Sequence, residues 1–322
     1  MALEIIISEQ YVPFLNLAAE QALVRENPED TIVMYLWKNF RTVVIGMNQN
    51  PYAECNVEQL LTDGGHLMRR TTGGGAVYHD LGNLNFSFVA PHRLYDQTRQ
   101  FAVLQEALRH YGLETEVSGR NDLLYQGRKF SGNAFSAGKT NRLHHGTLLI
   151  RTEVERLQRY LKVRPSKLHK HGVASVESRI INLSEAADIT SENVVAPLME
   201  AFQHIYGEKA RIRSFSDLCT ENVREAAERF ASEDFLFGRW KQFSAKRSAS
   251  FPWGEIEIDL EIDGAVGRIR RADIATDCLR PDIIEKARRL LEDTDMREMP
   301  GTAGTATEET QILNDILHLV YA

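Results

Sequence analysis

The chain predicts an α+β fold: a mixed, mainly antiparallel sheet flanked by helices, followed by a second and smaller α+β domain. Three observations carry this expectation. Residues 83–89 and 255–262 alternate side chains with the two-residue period of a strand. Residues 14–25 and 97–111 carry apolar side chains at helical spacing instead. Residues 244–250 are small and polar without periodicity, a break that divides the 322 residues into 1–243 and 244–322. A chain of this length is long for one core and short for three.

In chain order, 14–25 is the first predicted helix, and 31–37 and 41–47 are β-rich runs around the polar turn Lys38-Asn39, which predicts a hairpin. Leu67-Met68 ends one strand and Ala76-Val77-Tyr78 begins the next, so the glycines between them form a tight bend and not a mobile linker. Residues 83–89 read as a strand with one face on the core, and 97–111 as a helix. Three short strand-like runs between 115 and 150 hold most of the polar motifs, and helices follow at 153–161, 191–206 and 222–231. Past the break, 255–262 alternates throughout, Asp263-Gly264 is a favoured hairpin turn, and Arg268-Ile269-Arg270-Arg271 returns with opposite charge. Helices at 281–292 and 307–321, joined by a loop at 299–305, complete the second domain.

Composition excludes several classes. With 43% hydrophobic residues the chain can build a real core. Cys55, Cys219 and Cys278 are odd in number and lack metal-ligand spacing, which points to a reducing compartment, the cytoplasm. The apolar start Met1 to Ile7 has no basic flank of a secretory leader, and no stretch approaches the roughly 20 apolar residues that span a bilayer. A net charge of −7 argues against nucleic acid as a partner. Positive charge is local.

It is concentrated in Arg69-Arg70-Thr71-Thr72-Gly73-Gly74-Gly75-Ala76-Val77-Tyr78-His79-Asp80-Leu81-Gly82-Asn83. Adjacent glycines let backbone approach a ligand and turn several N–H groups toward one point, while arginine supplies bidentate geometry for phosphate or carboxylate. This is a site for a large anion.

The same run resembles the signature of the lipoate-protein ligases. Further islands match in order: Val43-Val44-Ile45-Gly46 with Asn48-Gln49-Asn50-Pro51 and Glu54-Cys55-Asn56, Ser118-Gly119-Arg120-Asn121-Asp122, Arg128-Lys129-Phe130-Ser131-Gly132-Asn133-Ala134, His144-His145-Gly146-Thr147-Leu148-Leu149, and Ser175-Val176-Glu177-Ser178-Arg179-Ile180-Ile181-Asn182-Leu183. The resemblance implies a biotin/lipoate ligase-like catalytic domain with a C-terminal accessory domain, and a reaction in two steps. Lipoate attacks the α-phosphate of ATP to give lipoyl-AMP and pyrophosphate; an acceptor lysine then displaces AMP. ATP with Mg²⁺, and lipoate, are substrates, and no permanently bound cofactor is expected. The implied acceptors are apo lipoyl domains of 2-oxoacid dehydrogenase acyltransferase subunits and the glycine-cleavage H protein, served by a monomer with no nucleic-acid or membrane partner.

The first step brings two anions together, so a cation between them is the minimal solution. Lys129, a compact ammonium on a short strand, suits that place, and the resemblance assigns it the same role. Arg70 is the expected anchor for phosphate or carboxylate, with the N–H groups of Gly75, Ala76, Val77 and Tyr78 lining the nucleotide or adenylate and Asn83 donating to a phosphate oxygen. Lipoate is expected against Lys129, Arg70, Gly74, His79 and the wall residues Trp37, Val44, Val77 and Phe86. Asn121 and Asp122 are candidates for Mg²⁺ or ribose contact. Adjacent His144 and His145 on a strand face opposite ways and cannot easily share an ion. The basic segment 164–179 is expected to close over the adenylate. An ATP-independent octanoyl or lipoyl transferase of the same superfamily, which would need a nucleophile, a biotin ligase, and a non-catalytic lipoate- or nucleotide-binding protein are the alternatives.

Overall fold

The computed structural model describes residues 1–119, 121–162, 180–237, 245–263, 268–292, 294–295, 299–301 and 307–321. Fourteen strands are described, β1 (Ala2–Ile7), β2 (Thr31–Trp37), β3 (Thr42–Ile45), β4 (His66–Arg69), β5 (Val77–His79), β6 (Asn83–Pro91), β7 (Glu116–Ser118), β8 (Asp122–Tyr125), β9 (Arg128–Ala137), β10 (Asn141–Leu149), β11 (Ala210–Ser214), β12 (Ala245–Phe251), β13 (Gly254–Asp263) and β14 (Arg268–Thr276). Eight of them form one sheet in the order β11-β1-β2-β6-β10-β9-β8-β7. Its pairs are antiparallel except β1 with β2 and with β11. The parallel crossover from β1 to β2 runs through the helix Pro13–Glu26.

Residues 31–37 and 41–47 do not form the expected hairpin. Both edges of β2 are taken by β1 and β6, whereas β3 lies between β4 and β5 in a separate three-stranded sheet. Lys38-Asn39 is the passage between layers, held from the first helix: Asn16 Nδ2 donates to Lys38 O at 2.9 Å and to Asn39 Oδ1 at 3.0 Å. That helix has Pro13 in its first turn but no side-chain cap, so buried Asn16 and Ser8, bonded at 2.8 Å, tie its start to the sheet.

Two cores cover the large sheet. One face packs Phe86, Phe88 and Leu148 against Phe101, Leu104, Leu198 and Phe202 from the helices Gln97–Arg109 and Val195–Tyr206. The other packs Val33, Tyr35 and Trp37 against Leu17 and Leu23 of the first helix and Val44 and Met68 of the small sheet. This explains why β6 is buried along its whole length, where its alternation alone predicted a single buried face. Its polar positions Asn83, Asn85 and Ser87 lie at 0–1% exposure between layers. Register then brings Trp37 opposite Asn85, Asn85 opposite Thr147, Ser87 opposite His145 and His145 opposite Ala134.

The C-terminal residues have their own core, in which a three-stranded antiparallel sheet, β12-β13-β14, packs on the helices Pro281–Leu291 and Glu308–Tyr321. Residues 245–250, read as an aperiodic break, belong to β12. The strand alternates half-buried Ala245, Ala249 and Phe251 with exposed Lys246, Ser248 and Ser250, and alanine gives too faint an apolar signal to show the period. Among the acidic positions of β13, Asp259 meets Lys246 of β12 at 3.3 Å, and Glu261 stands opposite Arg271 of β14. The expected turn at 264 and most of the loop at 299–305 lie outside the described residues, as does the basic segment 164–179.

Candidate functional site

The glycine segment crosses from β4 to β5 past the end of β3. Both arginines of its entry are buried, and they brace it from inside. Arg69 donates to the carbonyls of Met47, Gln49 and Leu236 at 2.6–2.9 Å. Arg70 donates to Thr72 Oγ1, to Gly73 O and Gly75 O at 2.6 and 2.9 Å, and to Val44 O at 3.3 Å. Burial lowers the Arg70 guanidinium from 12.5 to about 10, with Glu20 and Asp277 opposing the shift, so it remains a cation at neutral pH. Arg70 thus borders the cavity chiefly as the clamp that shapes the loop.

The glycines are needed at two positions for different reasons. Gly74 has φ +92°, a conformation that strains any side-chain-bearing residue. A Cβ on Gly73 would lie 1.9 Å from Cys278 O, and the neighbouring Gly74 N–H donates to that same oxygen at 3.1 Å. The C-terminal unit therefore sits directly on the loop.

Beneath it lies a cavity of about 280 Å³. Leu17, Trp37, Val44, Val77 and Leu279 supply its apolar wall, and Arg70, Gly74, Gly75, Ala76, His79, Asn121, Asp122 and Lys129, all singled out in the sequence, also border it. Three expected residues stand elsewhere. Tyr78 alternates away from the cavity and packs on Tyr160, ring centroids 5.6 Å apart, because the strand period sends Val77 and His79 inward and Tyr78 outward. Asn83 is buried one pleat too early and donates to Asn85 Oδ1 at 2.8 Å; Asn85 borders the cavity in its place. Phe86 belongs to the core on the opposite face of the sheet.

Sequence reasoning missed Leu17, Asn85, Gly132, Asn133, Ala134, His145, Gly146, Thr147, Asp277 and Leu279. For Asn133, Ala134 and Thr147 the signal was present, since each falls in a quoted motif beside Lys129 or His145. Asp277 and Leu279 gave none: they reach the cavity only through packing of the C-terminal unit.

A directional hydrogen-bond chain runs behind the wall. Trp37 Nε1 donates to Ser87 Oγ at 2.9 Å, and Ser87 donates to the buried carboxylate of Glu20. His145 Nδ1 lies 2.8 Å from the same carboxylate and its Nε2 2.8 Å from Thr72 Oγ1, and Thr72 accepts from Arg70 Nε at 3.0 Å. His144 points to the other face, between Gln100 and Asn133, as strand alternation required. His79 packs edge-on against Trp37 and contacts Asn39 at 3.3 Å.

Burial lowers His79 and His144 from 6.5 to about 3, and the Arg70 guanidinium adds to the shift at His79. Both are neutral in the fold near pH 7, yet take up a proton on unfolding below about 6.5. The unfolded chain thus binds more protons between pH 3 and 6.5, and the stability these residues contribute is lost as pH falls through that window. The thermal midpoint is expected to drop steadily below pH 6.5, and His144→Gln should make the drop shallower. An identical pH slope in that variant would refute the assignment.

Lys129 enters from β9 and its Nζ contacts Asp122 Oδ1 at 2.7 Å, while Asn121 Nδ2 donates to Asn133 O. Among the described residues no group of three or more His, Cys, Asp and Glu is placed to hold a metal ion. Asn121 and Asp122, the residues the sequence offers for Mg²⁺ or ribose, both border the cavity.

The thiols are outside the cavity lining. Cys55 is buried in an apolar cluster that pushes it up to about 12, which disfavours the thiolate that nucleophilic attack requires. Replacing Cys55, Cys219 and Cys278 together by Ala is expected to leave acyl transfer intact at a stability cost of about 1 kcal/mol per buried site. Loss of transfer in a folded triple variant, with an acyl-cysteine trapped in the parent, would establish a thioester route.

Comparison with known proteins agrees with this architecture. Residues 12–203 match the lipoyl protein ligase A/B catalytic domain and residues 241–299 the bacterial lipoate protein ligase C-terminus. Lipoate-protein ligase A of Bdellovibrio bacteriovorus is 38% identical over 291 residues, 88% of this chain and 85% of the relative. The structure of P. falciparum LipL1 in complex with lipoate superposes with a TM-score of 0.84 at 23% identity, covering 99% of each chain, which shows the fold. A lipoate-protein ligase A bound with ATP gives a TM-score of 0.64 at 26% identity over 74% of this chain and 99% of that one. With both family models matched in order and a relative similar across most of its length, the chain belongs to the lipoate-protein ligase A family.

Proposed function

We propose that residues 1–243 form the catalytic domain and residues 244–322 an accessory domain, and that the cavity between them makes lipoyl-AMP from lipoate and ATP with release of pyrophosphate. The acyl group then passes to a lysine of an apo lipoyl domain. The observation that carries this reading is Lys129. Of the arginine and lysine side chains that border the cavity among the described residues, Arg70 directs its donors to four protein oxygens, whereas Lys129 pairs with Asp122 and has further N–H groups to offer. An ammonium there lowers the repulsion between carboxylate and α-phosphate and stabilises charge growing on the phosphoryl oxygens. The loop N–H groups at Gly75, Ala76 and Val77 line the nucleotide, and Trp37, Val44, Val77 and Leu17 cover the acyl chain.

Mg²⁺ enters with ATP as part of the substrate. The acceptors favoured by family membership are lipoyl domains of 2-oxoacid dehydrogenase acyltransferase subunits and the glycine-cleavage H protein, and the enzyme acts on them as a monomer. Among the described residues no helix is long and apolar enough to cross a membrane. A transferase without ATP is disfavoured by the position of the cysteines outside the cavity. Mass spectrometry of an apo lipoyl domain incubated with the protein, ATP, Mg²⁺ and lipoate tests the reading. One lipoyl group should appear on the acceptor, and omission of any one component should abolish it; modification without ATP would reassign the protein as a transferase.

A further inference from the structure

Glu20 stands on the first helix, 2% exposed, and takes no part in the cavity lining. A carboxylate at such depth is unfavourable unless hydrogen-bonding groups and a countercharge answer it. Both are present, and they come from two different parts of the site. Glu20 Oε1 accepts from Ser87 Oγ, which itself accepts from the Trp37 indole of the acyl wall. The same oxygen lies 2.8 Å from His145 Nδ1, and the opposite ring nitrogen lies 2.8 Å from Thr72 Oγ1. Arg70 Nε donates to that hydroxyl at 3.0 Å. The countercharge is therefore Arg70, two side chains away, and Glu20 in return favours the charged form of its buried guanidinium.

Thr72 is where this network enters the glycine segment. It is fully buried and does not border the cavity, and its own carbonyl accepts from Met47 N at 2.9 Å. Its hydroxyl shares the Arg70 Nε with Gly73 O, while Arg70 Nη2 donates to Gly73 O and Gly75 O. A peptide group is planar, so the Gly75 carbonyl and the Ala76 N–H turn together. Whatever fixes Arg70 therefore fixes the direction of a loop N–H. Lengthening or loosening the path from Glu20 to Arg70 leaves every residue of the cavity wall in place and alters only how the loop is held.

We propose that Glu20 is a positioning residue for nucleotide binding, which through His145 and Thr72 holds Arg70 and so sets the peptide planes of the glycine loop. This inference rests on the proposed function, which places ATP against that loop. The test is lipoate-dependent exchange of pyrophosphate with ATP on the full-length protein, with KM for ATP and KM for lipoate measured separately. Thr72→Val is nearly isosteric and removes only the hydroxyl between His145 and Arg70. It should raise KM for ATP about fivefold, the worth of one hydrogen bond, while KM for lipoate stays within about twofold and turnover changes less than KM for ATP. Glu20→Met, which keeps the length and removes the acceptor, should raise KM for ATP at least as much. The double variant should be no worse than Glu20→Met alone, since both substitutions cut one path. A Thr72→Val protein that melts with the parent and keeps its KM for ATP overturns the proposal, as does one in which both KM values rise together. Multiplied effects in the double variant would show that Glu20 acts by another route and also overturn it. Where Glu20→Met fails to fold, Thr72→Val decides alone. A parent protein that exchanges no pyrophosphate in the presence of lipoate would reject the proposed function, and this role with it.

Discussion

Lys129→Ala is expected to lower adenylate formation by at least about a hundredfold, the cost of removing one preorganised donor from a site where charge develops. The fold should persist, because the side chain is 38% exposed and its neighbours are held through backbone bonds that alanine retains. The effect should fall on turnover more than on binding, since the ammonium is worth most when negative charge grows on the α-phosphate. Isotope exchange between pyrophosphate and ATP, dependent on lipoate, reads this half-reaction directly. A folded variant exchanging at the parental rate would remove Lys129 from the mechanism and leave Arg70 as the cation bordering the cavity. Arg70 is a poor substitute, since moving its guanidinium to a ligand would release Gly73 O, Gly75 O and Val44 O together and loosen the loop.

Local chemistry was legible where one residue type answers one local requirement. Gly74 with its positive φ and the opposite facing of His144 and His145 follow from rules acting within a few residues, whereas the strand of Lys129, read as short, is the ten-residue β9. The errors arose where a strand's partner decides its environment. β-rich composition identifies β2 and β3 and period two identifies β6, but nothing local says that β2 pairs with β1 and β6, or that the polar side of β6 meets a second layer and not water. Asn83 was misplaced by one pleat for the same reason, whereas Tyr78 leaves the cavity by the strand's own alternation. Glu20 was invisible as a site residue because a glutamate in an amphipathic helix reads as a solvated position; its burial follows from Ser87 and His145 arriving from two other strands.

Asp277 and Leu279 belong to the most distant contribution, and they motivate the second large expectation. A fragment ending at Phe243 should transfer the acyl group of supplied lipoyl-AMP to an acceptor, yet form adenylate from ATP and lipoate at least about a hundredfold more slowly than the whole chain, as when a catalytic enclosure is left open. The large sheet and its two covering cores are made by residues of the first 243, so the fragment retains the packing that holds Lys129 and the acyl wall. What it loses is specific: the Asp277 and Leu279 side of the cavity, the acceptor that Cys278 O gives the Gly74 N–H, and the contact of Thr276 N with Asn48 O at 2.9 Å. Activation needs the two anions enclosed and water excluded, whereas transfer needs the acyl carbon open to a lysine carried by another protein. A C-terminal unit seated on the glycine loop favours the first condition and obstructs the second, so it is expected to leave between the steps. Gly73→Val, which drives a side chain into Cys278 O, should imitate the truncation within the full-length chain by weakening activation more than transfer. If the fragment activates lipoate as fast as the whole protein, the enclosure is complete without residues 244–322, and their contact with the loop has to be explained by acceptor docking instead.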